Sequence, residues 1–288
     1  MKIKPVNSSP VPKGILLAIG GHENKGEQPE TEEQKRVSNP LEVLKDFVKL
    51  TGKDKPLIEV ITTATEEADL MFRDYKKVFK ELGTEKLQHI HHQTRGDALR
   101  NKQLERIKKA DAVFFTGGDQ LKLTAVYGGT EFLFELKQRY IHDRIVIGGT
   151  SAGAMALSTP MIYAGSREVQ EIGGEIKITL GLEFLKDVCI DTHFTDRARF
   201  VRMAQVIATN PNCIGMGIGE DTGMIITEGR NIKVIGSGII IVFDGFNIED
   251  SNVLQFGEQL PIALRGLRVH LLVRGDEYEV PQTNPPHI

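Results

Sequence analysis

The chain has 288 residues, 40% of them apolar and 26% charged, so it can bury a sizeable core and is neither disordered as a whole nor fibrous. Its 36 Lys and Arg against 39 Asp and Glu leave a net charge of −3, without the basic excess that grips a phosphate backbone, and nucleic acid is not expected as a partner. Two cysteines, Cys189 and Cys213, make no disulfide framework, and no apolar run is long enough for a secretory leader or a transmembrane helix, which reads as a cytoplasmic protein with no membrane partner.

Residues 14–21 read as an apolar strand closed by glycines, and Leu41, Leu44, Phe47 and Val48 recur at helical spacing within 39–51. Strand-then-helix pairs follow at 57–61 and 66–82, at 86–91 and 98–109, and at 112–115 and 130–142. This alternation implies a parallel sheet. The 112–115 strand runs into Thr116-Gly117-Gly118 and the 145–147 strand into Gly148-Gly149, so two glycine turns share the crevice beyond the carboxyl ends of the strands. After about residue 210 the pattern changes to short runs with tight turns, 224–227 with 232–235 and 269–273 with 277–280, read as antiparallel hairpins on the same sheet. No linker or repeat divides the chain, so 1–288 is expected to form one α/β domain, with an N-terminal extension at 1–13 and a mobile tail at 281–288.

Gly149-Thr150-Ser151-Ala152-Gly153 matches G-x-S-x-G, and it follows an apolar strand and precedes a small-residue helix at 152–157, the context that a nucleophile elbow requires. Glycines suit it because a strand turning sharply into a helix brings backbone close to backbone. The same residues could cradle a phosphate, but no lysine follows to support that reading. A serine needs a general base and a third group to hold that base in the right tautomer. Downstream of Ser151 the histidines are His193, at the end of the 188–190 strand, His270, inside the 269–273 run, and His287, in the tail, and of these His193 has the strand-end placement. His193 is therefore the candidate base, and Glu220 or Asp221, after another strand ending in glycine, is the candidate orienting carboxylate. Ala152 supplies one oxyanion N–H by elbow geometry, and Gly118 or Asp119 in the facing loop a second.

Four segments together, Phe115-Thr116-Gly117-Gly118-Asp119-Gln120, Gly149-Thr150-Ser151-Ala152-Gly153-Ala154, Asp191-Thr192-His193-Phe194 and Gly219-Glu220-Asp221-Thr222, resemble the cyanophycinases, in the serine peptidase family that also holds aspartyl dipeptidase. The resemblance implies a flavodoxin-like sheet related to glutamine amidotransferases, mostly parallel and flanked by helices, with Ser151, His193 and Glu220 as catalytic residues. It implies a homodimer and an exopeptidase that degrades cyanophycin, a poly-aspartate whose side-chain carboxyls carry arginine, to β-aspartyl-arginine, by acyl transfer with attack on the β-carbonyl. It further implies substrate-binding roles for Gln120, Asp191, Thr192, Arg197, Arg199 and Arg202, with arginine forks for carboxylates and Asp191 for a guanidinium. Thr192 stands where the resemblance leads one to expect Gln, and Gly20-Gly21-His22-Glu23 matches the family's first strand end only in part, leaving His22 either to line the crevice or to cap its loop.

No cofactor is expected, because no G-x-G-x-x-G follows the first strand. His89 and His91 share a strand face, but two imidazoles fall short of a zinc site, so no metal is expected either. The remaining alternatives are an aspartyl dipeptidase of the same chemistry and a binding protein that keeps an amidotransferase-like crevice without turnover.

Overall fold

The computed structural model describes residues 10–26, 41–100, 103–165, 172, 175–255 and 260–281. The extension up to residue 9 and the tail from residue 282 lie outside the described residues. Strands β1 (Ile15–Ile19), β2 (Ile58–Ile61), β3 (Leu87–Ile90), β4 (Ala112–Phe115) and β5 (Val146–Thr150) form the parallel part of a first sheet, in the order β1-β5-β4-β2-β3. Further strands are β6 (Val188–Asp191), β7 (Ile214–Ile218), β8 (Thr222–Thr227), β9 (Asn231–Gly236), β10 (Ile240–Asp244), β11 (Arg268–Leu272) and β12 (Glu277–Glu279). Of these, β8, β9 and β12 extend the first sheet antiparallel from β1.

The helices are α1 (Glu42–Leu50), α2 (Ala68–Glu81), α3 (Arg95–Leu99), α4 (Leu104–Lys109), α5 (Gln120–Tyr127), α6 (Glu131–His142), α7 (Ala152–Leu157) and α8 (Phe200–Thr209). Both faces of the first sheet are covered, as the two-residue period of β1 makes plain. Leu17 and Ile19 pack with Val43, Leu44 and Phe47 of α1 and with Tyr75, Val78 and Phe79 of α2. Leu16 and Ala18 belong to the larger cluster on the opposite face, which includes Leu123, Val126, Leu133 and Leu136. Burial on both faces is why these strands read as unbroken apolar runs.

Three expectations are corrected. The strands after 187 do not all join the first sheet: β6, β7, β10 and β11 build a second one, ordered β11-β10-β7-β6 and continued by the short strands Ser158–Thr159 and Leu185–Lys186. A strand buried on both faces, as β6 and β7 are, carries no period that says which sheet it belongs to. The helix expected at 98–109 is two, because Thr94 and Asp97 form a capping box that starts α3 early. Ala98 and Leu104 are both buried, and in one continuous helix they would point some 120° apart. Helix α5 was not foreseen; Leu121 is exposed while Leu123, Val126 and Tyr127 are buried, so apolar residues lie all round it and give no stripe.

Helix α7 is the joint of the fold. It contacts β1 and β5 of the first sheet and β6 of the second, and all six of its residues are buried. Ala152, Gly153, Ala154 and Ala156 keep it thin enough to lie between the sheets.

Candidate active site

Ser151 stands where β5 turns directly into α7. Its backbone has φ 51° and ψ −117°, a conformation that costs a residue with a Cβ of order 1–3 kcal/mol and persists only when its surroundings impose it. Glycines make the turn possible. A Cβ on Gly149 would lie 2.5 Å from the Gly153 carbonyl, and one on Gly153 would lie 2.3 Å from the Phe115 carbonyl oxygen. The Ser151 N–H donates to the Ile19 carbonyl at 3.0 Å and its carbonyl accepts from the Met155 N–H at 3.0 Å, tying the elbow to β1 and to α7.

The partners come from the second sheet. Strands β6 and β7 are parallel neighbours, so the residues after them, His193 and Glu220, emerge side by side. His193 Nε2 lies 2.9 Å from Ser151 Oγ, and His193 Nδ1 lies 2.6 Å from Glu220 Oε1. The two sheets are sewn together at this point: the His193 N–H donates to the Gly20 carbonyl at 2.8 Å, and the Asp221 N–H to the Gly21 carbonyl at 3.0 Å. Gly21 admits the imidazole, since a Cβ there would lie 2.4 Å from His193 Cε1. Asp221 turns away from His193; its carboxylate accepts from the Asn24 N–H at 2.8 Å and the Ser237 hydroxyl at 2.7 Å. Geometry thus brings Glu220 rather than Asp221 to the base.

Burial, the largest influence, holds the His193 imidazole below its ordinary value near 6.5; the Glu220 hydrogen bond pulls it up, while Arg197 and His22 push it down. The ring is therefore neutral at pH 7, the state that can accept a proton. His22 Nδ1 lies 3.1 Å from Glu220 Oε2, and its ring stands edge-on to His193 with centroids 5.1 Å apart. One nitrogen of each imidazole and a Glu220 oxygen lie within 4.8 Å of one another, a set that could hold a metal ion. His89 and His91 are engaged elsewhere: both contact Thr62 Oγ1, at 2.8 and 3.2 Å, and His89 stacks on Phe72.

The family model for peptidase family S51 matches residues 31–235. The chain belongs to peptidase family S51. It is 31% identical over 268 residues to a cyanophycinase of Synechococcus elongatus, covering 93% of this chain and 80% of the relative. It is 30% identical over 266 residues to a cyanophycinase of Geminocystis herdmanii (strain PCC 6308), covering 92% and 93%. Among solved structures, a peptidase from an acI-B1 Actinobacterium shares the fold, with a TM-score of 0.64 at 19% identity over 94% of this chain and 98% of its own. These relatives make the S51 peptidase a serine-type enzyme on a mostly parallel, helix-flanked sheet. No helix among its described residues is long and apolar enough to cross a membrane.

In this S51 peptidase the residues expected to bind substrate separate into two sets. Asp191 is fully buried and its carboxylate is engaged within the chain: it accepts from Arg199 at 2.8 Å, from Arg202 at 2.9 and 2.5 Å, and from the Thr192 N–H at 2.9 Å. Arg199 also donates to the Thr192 carbonyl at 2.7 Å and Arg202 to the Gly165 carbonyl at 3.2 Å, so both forks are spent on holding the loop that carries His193. Thr192 is buried as well. Arg197 is exposed beside the imidazole. Gln120, half-buried at the start of α5, donates one amide hydrogen to the Ile162 carbonyl at 2.9 Å.

The oxyanion expectations also divide. The Asp119 N–H is committed to the Ala64 carbonyl at 2.9 Å and its side chain caps α5, which leaves Gly118 and Ala152 as the candidate donors. Gly117 lies against the elbow, where a Cβ would be 3.5 Å from that of Ser151. Glu23, given no role in the sequence, is buried beneath the elbow, accepting from Thr150 Oγ1 at 2.6 Å and from the Tyr75 hydroxyl. Burial raises the Tyr75 phenol well above its ordinary value, so it stays a donor to Glu23.

Proposed function

We propose that this S51 peptidase hydrolyses cyanophycin to β-aspartyl-arginine, with Ser151 as nucleophile, His193 as general base and Glu220 as the carboxylate that orients it. The observation that carries the reading is the unbroken hydrogen-bonded line from Ser151 Oγ through the two ring nitrogens of His193 to Glu220. Glu220 keeps the Nδ1–H tautomer, so Nε2 is the acceptor that faces the serine. As Ser151 Oγ bonds to the scissile carbonyl carbon, its proton passes to His193 Nε2. The oxygen of the tetrahedral intermediate lies toward the N–H groups of Ala152 and Gly118. The imidazolium returns the proton to the departing amine, and water, activated by the same imidazole, releases the acid and regenerates Ser151.

Product chemistry corrects one part of the sequence reading. β-Aspartyl-arginine keeps its β-linkage, so the bond that breaks is the α-peptide bond of the poly-aspartate backbone, and the carbonyl attacked is the α-carbonyl. The cyanophycinases among the relatives support the substrate class. Arg197, exposed beside the imidazole, is suited to a free carboxylate of the polymer.

The deciding experiment incubates the purified protein and its Ser151→Ala variant with insoluble cyanophycin and identifies the soluble products by mass spectrometry. Release of β-aspartyl-arginine by the wild type alone is the expected result. Cleavage of small aspartyl dipeptides with the polymer left intact would move the assignment to an aspartyl dipeptidase. Turnover of neither would favour a binding protein that keeps an amidotransferase-like crevice.

A further inference from the structure

We infer that His22, Glu220 and His193 form an inhibitory binding site for a transition-metal ion, with Zn²⁺ the ion that it suits best. Two imidazoles and one carboxylate are the donor set of open zinc sites, in which a solvent molecule takes the fourth position. Zinc bound by nitrogen and oxygen at about 2.0–2.1 Å places neighbouring ligand atoms about 3.3 Å apart in a tetrahedron. The Glu220 carboxylate already meets both rings near that spacing, its Oε2 3.1 Å from His22 Nδ1 and its Oε1 2.6 Å from His193 Nδ1. All three ligand atoms lie within 4.8 Å of one another. The His22 side chain is 74% exposed, so it can turn about its own bonds to complete the set, and an ion can arrive from solvent.

Occupancy would stop catalysis without touching Ser151. In the active tautomer the imidazole proton sits on Nδ1, facing Glu220. A zinc ion bound at Nδ1 takes that place, and the proton, exchanged through solvent, resides on Nε2. The charge on the ring is unchanged, but Nε2 now donates and can no longer accept the proton of the Ser151 hydroxyl. The same ion draws Glu220 away from its orienting role. Nitrogen-rich donors of this kind favour zinc, copper and nickel over magnesium and calcium.

The inhibitory part of this inference rests on the proposed triad, whereas the binding part does not. The test therefore has two arms. The first titrates the Ser151→Ala protein, which retains all three ligands, with Zn²⁺ by calorimetry and with Co²⁺ as a visible-absorption reporter of four-coordinate geometry. The second measures peptide hydrolysis by the wild type and by His22→Ala across a zinc series, each against its own zinc-free rate. One ion per chain, a four-coordinate cobalt spectrum, inhibition reversed by EDTA and no inhibition by Mg²⁺ or Ca²⁺ are the expected results. His22→Ala should weaken zinc binding in the serine-free protein, and raise the half-inhibitory zinc concentration, by roughly 10–100-fold. Absence of binding at submillimolar zinc, or binding and inhibition unchanged by His22→Ala, would overturn the inference. If no aspartyl substrate is turned over, the functional reading fails while the titration still decides the metal site.

Discussion

Ser151 and His193 meet in one hydrogen bond, but they are held there by different means. The serine half is packed backbone: Gly149, Gly153 and Phe115 approach so closely that no side chain fits between them, and the Glu23 carboxylate beneath the elbow is bonded to the Thr150 hydroxyl. The histidine half is a loop held by charge, in which the buried Asp191, just before the strained His193 backbone, gathers the guanidinium groups of Arg199 and Arg202 that follow it. A packed half fails when volume is added. A charged half fails when one partner is removed, because the other is then left buried and unpaired.

The largest effect belongs to the chemistry that both halves serve. Ser151→Ala should lower kcat/KM by roughly 10⁶-fold and Glu220→Gln by roughly 10⁴-fold, with circular dichroism and melting temperature close to wild type in both. Equal losses accompanied by unfolding would mean that the residues matter for structure instead. On the serine side, Gly149→Ala places a methyl group 2.5 Å from backbone that cannot move aside, and should abolish activity while also lowering the melting temperature. On the histidine side, Arg202→Met should cost about 3–5 kcal/mol by leaving Asp191 short of a partner, measured by urea denaturation. Adding Asp191→Asn to Arg202→Met should recover part of that loss, a recovery that no second substitution could bring to the crowded elbow. If the double variant is no more stable than the single one, the charged half is held by shape after all.

The same contrast explains what could be read in the sequence. The elbow is local: β5, α7 and the glycines around Ser151 occupy contiguous residues, and steric rules acting on neighbours specify them. His193 was legible because a strand end is recognisable, and Glu220 because another strand ends in glycine nearby. The second sheet was not legible, since β6 and β7 are apolar on both faces and pattern alone does not assign them a partner. Nor was the fate of the arginines. Spacings of two and three residues are equally compatible with forks turned to a crevice and with forks turned inward on a carboxylate, and only the position of Asp191 chooses between them. His22 reaches Glu220 from the other end of the chain through the meeting of β1 with the second sheet, a contact that no local spacing encodes.

The smallest effect is the most specific probe of the boundary between the halves. Because burial keeps the folded His193 below 6.5, kcat/KM should rise with pH along a limb whose midpoint lies below 6.5, as the imidazole loses its proton and becomes a base. The sign for stability follows from the same shift. Between 6.5 and the lower folded value the unfolded chain binds more protons at this residue than the native one does, so its contribution disfavours folding progressively as pH falls through that window. Arg197 is exposed and lowers the imidazole only by its field, so Arg197→Ala should move the activity limb upward, by less at high salt than at low salt. Glu220→Gln removes the group that raises it and should move the limb of whatever activity remains downward. Opposite displacements by these two substitutions would identify the titrating group as His193 in the line between serine and carboxylate; displacements of the same sign would place the limiting proton elsewhere.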